Sequence, residues 1–75
     1  MTTVLNQIKE ERIRQDKKWG VQNHDPGKWS LILSEEFGEF CKAALEGKIE
    51  LARKEIIHVA AVAAAIAECI DRNKV

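Results

Sequence analysis

Two short runs of this chain carry residues that could do chemistry together: Glu35-Glu36-Phe37-Gly38-Glu39 and Glu55-Ile56-Ile57-His58, with Gly47 between them. Glu39 lies eight residues before Gly47 and Glu55 eight after it; Glu36 lies eleven before and His58 eleven after. If two helices fold back on each other at the glycine, each residue rises about 1.5 Å. Both pairs then sit about 12–17 Å from the turn, level with each other. An antiparallel hairpin therefore gathers three or four carboxylates and one imidazole. Carboxylates alone repel one another, and some must take up a proton. A divalent cation resolves the repulsion. Magnesium is typically held by a few carboxylates together with waters and the phosphates of a substrate. The pattern points to a metal site open to a phosphate ligand.

Plainer readings exist for each part. A Glu-x-x-Glu pair is more often a solvated helix face, and a histidine in an apolar helix is more often a hydrogen-bonded core residue than a ligand. The combination favours the site: matched distances from Gly47, apolar flanks on both helices, and no lysine or arginine on the inward faces.

The elements that must position these groups are helical. Ser30 is a plausible N-cap for a helix running to Glu46, and Gly47 is its natural stop. Leu33, Phe37, Phe40 and Ala44 recur at helical spacing as the expected core stripe. Glu36 and Glu39 share a neighbouring stripe with Ile32 and Ala43, company that a solvated acidic face would seldom keep. Glu35 lies further round, towards water or a site mouth. The next helix is expected from near Lys48 to Asp71 or Arg72, about 36 Å if unbroken. From Ile56 to Ala67 it has no acid, lysine or arginine, and His58 is its only polar residue. Glu55 and His58 fall on one face with Leu51, Val62 and Ile66, and a carboxylate in such a stripe must find partners. Apolar residues surround this helix, as in helices buried on all sides. A short monomer cannot easily cover it, so it is expected at the centre of a homo-dimer or homo-tetramer.

An amino-terminal helix is expected from about Val4 to Lys18, with a thin apolar stripe of Val4, Leu5 and Ile8, and Ile13 to one side. Thr2 or Thr3 could cap it. Trp19 to Trp29 reads as the loop, because Gly20 and the run from Asn23 to Gly27 are turn chemistry. Its two tryptophans either plug the end of a small core or offer a stacking surface to a flat ligand such as a nucleobase. The fold class is thus all-α: a three-helix protomer with an antiparallel hairpin, assembling into an oligomeric bundle.

Seventy-five residues allow one domain, and a domain this small is marginal without a metal, disulfides or self-association. Cys41 and Cys69 are too few for a disulfide framework, and no secretory signal precedes them. They read as reduced residues of a cytoplasmic protein. Twelve basic and twelve acidic residues cancel, which argues against a nucleic-acid or membrane-surface binder. The longest apolar run, Val59 to Ala67, is far short of the roughly 20 residues that span a bilayer.

The acidic pattern also resembles a known signature. Glu35-Glu36-x-x-Glu39 followed by Glu55-x-x-His58 is similar to the Glu-Glu-x-x-Glu and Glu-x-x-Asp motifs of the MazG-like all-α nucleoside triphosphate pyrophosphohydrolases. The run Glu11-Arg12-x-Arg14-Gln15-x-x-Lys18-Trp19-Gly20, with Trp29 beyond it, looks like the small MazG-like proteins of phages and mobile elements. So does Val59-Ala60-Ala61-Val62-Ala63. The resemblance covers about Glu11 to Arg72. It implies a house-cleaning enzyme that cleaves nucleoside triphosphates between the α and β phosphates, giving a monophosphate and pyrophosphate. Glu36, Glu39 and Glu55 would hold magnesium, and Glu35 would be a further ligand or orient the attacking water. Trp19, Trp29 and Lys18 would contact the substrate. His58 stands where the signature has aspartate. Imidazole suits zinc, copper, iron or nickel better than magnesium, so three roles are open to His58: it ligates a different metal, with manganese an option, it acts from behind the ligands, or it marks a weakened site. Many relatives add a helical segment with phosphate-holding groups; here Arg72, Lys74, Lys54, Arg14, Lys17 or Lys18 would serve. Asp71 lies on the side of its helix away from Glu55 and is not assigned to the site. Two alternatives stand beside this: a non-catalytic nucleotide- or protein-binding module of the same fold with an incomplete metal site, and a purely structural helical oligomer.

Overall fold

The computed structural model describes residues 2–73. It is all-helical, with α1 over Thr2–Trp19, α2 over Pro26–Leu45 and α3 over Ile49–Arg72, and no strand among the described residues. Helix α1 is rich in helix formers and carries Lys17 and Lys18 in its last turn, where the helix dipole favours cations. It ends at Gly20, whose φ of 74° only glycine adopts freely and whose N–H returns to the Asp16 carbonyl at 2.9 Å. Thr3 lies inside the helix instead of capping it.

Helix α2 begins four residues before the Ser30 start expected from the sequence. Its cap is Asp25, whose carboxylate accepts the Lys28 N–H at 2.9 Å, and Pro26 occupies the first turn with its φ already helical. Ser30 instead donates its hydroxyl to the Pro26 carbonyl at 2.8 Å. The Asp-Pro-Gly run is thus a helix start as well as turn chemistry, and the loop shrinks to residues 20–25.

The end of α2 matches the sequence reading. Gly47, at φ 73°, sends its N–H to the Ala44 carbonyl at 3.2 Å, and the Lys48 N–H reaches the Ala43 carbonyl at 2.9 Å. This pair of bonds is a Schellman stop, and it satisfies two carbonyls that the helix end would leave open. Helix α3 follows after three residues and is unbroken.

The four residues added to the start of α2 change which face turns inward. Trp29, with 5% of its surface exposed, packs against Val62 and Cys69, and Ile32, Leu33, Ala65 and Ile66 gather around them. Ala43, Ala52 and Ala61 are also buried, and their small side chains permit close helix approach. The stripe expected as core, Leu33-Phe37-Phe40-Ala44, is only partly so. Phe37 is 50% exposed and Ala44 is exposed, while the Phe37 and Phe40 rings stack on each other at 5.9 Å. Trp29 carries the largest apolar surface on α2, and its burial sets the helix rotation. Helix α3 is not covered all round by its own chain: Ile56 and Ile70 are 37% and 50% exposed. None of the described helices is long and apolar enough to cross a membrane.

Helices α1 and α2 each lie against α3. The space between them, above α3 and closed at one end by the loop, forms the site.

Candidate metal centre and adjoining cavity

Glu55 and His58 stand one turn apart on α3, Glu36 faces them from α2, and Glu11 approaches from α1. One donor atom from each of Glu36, Glu55 and His58 lies within 4.8 Å of the others, the separation at which one cation bridges all three. His58 Nδ1 is 3.5 Å from Glu55 Oε2, and His58 Nε2 is 3.7 Å from Glu11 Oε1. Both separations are too long for hydrogen bonds. They leave Glu36 Oε2 and Glu55 Oε2 buried without a hydrogen-bond partner. The imidazole lies between two carboxylates without a hydrogen bond to either, which separates it from an ordinary hydrogen-bonded core histidine.

The electrostatics agree with the geometry. Burial pushes the Glu36 carboxyl above the usual glutamate range, and the neighbouring Glu39, Glu55 and Glu11 add to the effect against a smaller opposing pull from His58. Glu11 goes the other way. Its hydrogen bonds with Arg14, at 2.8 and 2.6 Å, hold its carboxyl below the usual range, with burial opposing and His58 assisting. Gln15 donates a further bond at 3.2 Å. The result is a fixed, ionised Glu11 on one side of the imidazole and an under-partnered Glu36 nearby.

A cavity of about 540 Å³ opens from this cluster. Ile32, Val62 and Ala65 supply apolar walls, and Glu36, Glu39, Glu55 and His58 line it together. Of the substrate-binding candidates, Lys18, Trp19 and Trp29 all line it as well. Trp19 is 61% exposed with the Lys18 ammonium 4.7 Å from its ring centre, whereas Trp29 is the buried plug of the core. Glu39 is exposed on the wall next to Glu36. Glu35 is exposed and does not line the cavity.

The basic candidates divide by what holds them. Arg14 lines the cavity but is paired with Glu11; Arg12, not among those candidates, also lines it and is paired with Glu68 and Asp16. Arg72 lines it too and is held by neutral acceptors, the Gln22 carbonyl at 2.9 Å and Asn23 Oδ1 at 3.1 Å, which tie the loop to the end of α3. Lys28, not anticipated from the sequence, also reaches the wall. Lys54 lines a different, shallower depression, Lys17 lines neither, and Lys74 lies outside the described residues.

Glu11 is the residue of this centre that motif spacing missed. A signal was present: Val4, Ile8, Glu11 and Gln15 follow one another at intervals of four, three and four, so Glu11 continues the apolar stripe of α1 inward. A carboxylate at such a position requires a partner, and Arg14 and His58 are close to it. Chemically, the arrangement offers a carboxylate and imidazole pocket for a cation at one end of a cavity that carries aromatic and cationic groups at the other. No family model, curated protein or solved structure matches the chain.

Proposed function

We propose that this protein is a metal-dependent nucleoside triphosphate pyrophosphohydrolase of the MazG-like type, releasing a nucleoside monophosphate and pyrophosphate. What carries this reading is the pair of buried, unpartnered oxygens, Glu36 Oε2 and Glu55 Oε2, beside His58 in the same cavity as Lys18, Trp19, Lys28 and Arg72. Two unpaired carboxylate oxygens taken out of water are costly unless a cation joins them. A divalent cation there supplies neutralisation of the phosphate oxygens and makes water more acidic near neutral pH. The residues fit that role: Glu36, Glu55 and His58 would hold the metal, with Glu39 at the cavity wall as a further ligand. Lys18, Lys28 and Arg72 would meet phosphate or sugar oxygens, and the exposed Trp19 would stack on the base.

Helices α2 and α3 would act as an antiparallel hairpin, supported by their three-residue connection and the packing of Trp29 near Cys69. The hairpin would assemble into a homo-dimer or homo-tetramer. Exposed apolar residues on both helices support this: Phe37 and Ala44 on α2, and Ile56, Ala63, Ala67 and Ile70 on α3. Both cysteines are free, in keeping with a reducing cytoplasm.

The test is pyrophosphate release from a panel of standard and modified nucleoside triphosphates, with magnesium and then manganese. Turnover abolished by Glu36→Gln supports the proposal; no turnover with any nucleotide and either metal overturns it. One observation favours a second reading, a non-catalytic nucleotide-binding module of the same fold. Glu35, which the resemblance makes a ligand or water-orienting residue, is exposed away from the cavity. Metal-dependent nucleotide binding without turnover would select that alternative.

A further inference from the structure

The donors of the metal centre are not those that magnesium prefers, and the surroundings of His58 carry the difference further. Magnesium favours an octahedron of oxygens and keeps several of its waters. Imidazole nitrogen instead suits the later divalent metals, whose affinities for nitrogen and oxygen sites rise from manganese through iron, cobalt and nickel. A histidine that merely lay near carboxylates would not by itself mark a metal ligand. Here two independent features do.

The first is the orphaned pair of carboxylate oxygens. Glu55 Oε2 has no hydrogen-bond partner, and the ring atom nearest to it is His58 Nδ1, at 3.5 Å. Glu36 Oε2 is likewise buried and unpartnered. The second feature lies on the opposite edge of the ring. His58 Nε2 faces Glu11 Oε1 at 3.7 Å, and Glu11 is only 9% exposed and is fixed by Arg14 and Gln15. Metal-bound histidines characteristically give their other ring N–H to a carboxylate, which fixes the tautomer and makes the ligating nitrogen more basic. Glu11 stands on the Nε2 edge, a short approach from taking that N–H, and Nδ1 faces Glu55 on the other edge. Arg14 keeps Glu11 ionised and in place.

We propose that this centre selects a manganese-, iron-, cobalt- or zinc-type divalent cation over magnesium, with His58 Nδ1, Glu36 and Glu55 as ligands and Glu11 as the residue that positions the imidazole. The inference rests on the metal-centre reading above and adds the identity of the metal and the role of Glu11.

The experiment is metal binding to the full-length, metal-stripped protein, without nucleotide. Magnesium and manganese are titrated calorimetrically, and cobalt is followed by its visible absorption, which reports nitrogen ligation. The expected result is manganese and cobalt binding at least ~10-fold tighter than magnesium, as follows from adding an imidazole to an oxygen site. His58→Asp is expected to abolish the nitrogen signature in the cobalt spectrum and to narrow the preference over magnesium. Glu11→Gln is expected to weaken cobalt binding about 10-fold, the usual effect of losing a carboxylate behind a ligating histidine. In the His58→Asp background the same change is expected to cost much less, which a general structural role for Glu11 would not produce. Magnesium binding as tightly as manganese and cobalt in the unaltered protein overturns the selectivity while leaving a metal centre in place. Failure of every divalent cation to bind removes both the selectivity and the centre, and needs no variant to fold.

Discussion

Replacing Glu36 by glutamine should make the metal-free protein more stable and the metal-loaded protein less so. In the metal-free state Glu36 is a carboxylate with one oxygen buried and unpartnered, and Glu39, Glu55 and Glu11 oppose its charge. Leaving a buried polar group unpaired costs about 1–3 kcal/mol. The cavity is open to water, so screening reduces that figure, and about 1 kcal/mol is expected. For a domain of this size the gain corresponds to roughly 4–8 °C in Tm. The sign with pH follows from the raised carboxyl. Between the ordinary glutamate value of 4.5 and its higher folded value, the folded state binds more protons than the unfolded state. Stability therefore falls as pH rises through that window. The advantage of the variant should open above about pH 4.5 and be absent below it. Metal reverses the order. At a free concentration of 100 times its Kd a cation stabilises the unaltered protein by about 2.7 kcal/mol, and a variant lacking one ligand forfeits most of that. Thermal melts in a chelator and in excess manganese, across pH 4 to 8, measure both effects. A Glu36→Gln variant that is less stable in chelator and gains as much from manganese as the parent refutes this account of the cluster.

Three further outcomes are expected. Glu11 has a lowered carboxyl pKa, held down by its hydrogen bonds with Arg14, so its contribution is present above the ordinary glutamate value and is lost as pH falls through the lower folded value; Glu11→Gln should flatten that part of the acid melting profile, and an unchanged profile contradicts it. Gly47→Ala should cost about 1–2 kcal/mol, because φ of 73° places a Cβ against the following carbonyl although the space around it is open; an unchanged Tm contradicts the Schellman stop. Phe37→Glu, at an exposed apolar position of α2, should lower the assembly state in sedimentation velocity, and a monomeric parent protein contradicts self-association through that face.

Much of this architecture was legible in the residues. The Gly47 stop, the length of α3 and the facing of Glu36 by Glu55 and His58 follow from spacing alone, because a short connection leaves two helices few ways to pair. The start of α2 was not legible in the same way. Asp25-Pro26-Gly27 serves turns and helix starts alike, and only the Asp25 bond to Lys28 distinguishes them. That ambiguity misplaced the core stripe, since Trp29 as a helical residue rotates Phe37 outward. Glu11 escaped notice for another reason. Its helix is polar over most of its surface, so an inward carboxylate does not stand out until α3 is seen to bring His58 to it. Glu35 shows the converse, since adjacency in a motif does not bring a side chain to the cavity when consecutive helical residues point about 100° apart.

We propose that Glu36, Glu55 and His58 form a metal centre that acts on nucleoside triphosphates. Its most direct test is phosphorus NMR of a nucleoside triphosphate incubated with the metal-stripped protein, then with added manganese, alongside Glu55→Gln. The expected result is no reaction without metal, conversion to nucleoside monophosphate and pyrophosphate with manganese, and loss of that conversion in the variant. Orthophosphate and a nucleoside diphosphate as products, or manganese-dependent turnover undiminished in Glu55→Gln, would overturn the proposal.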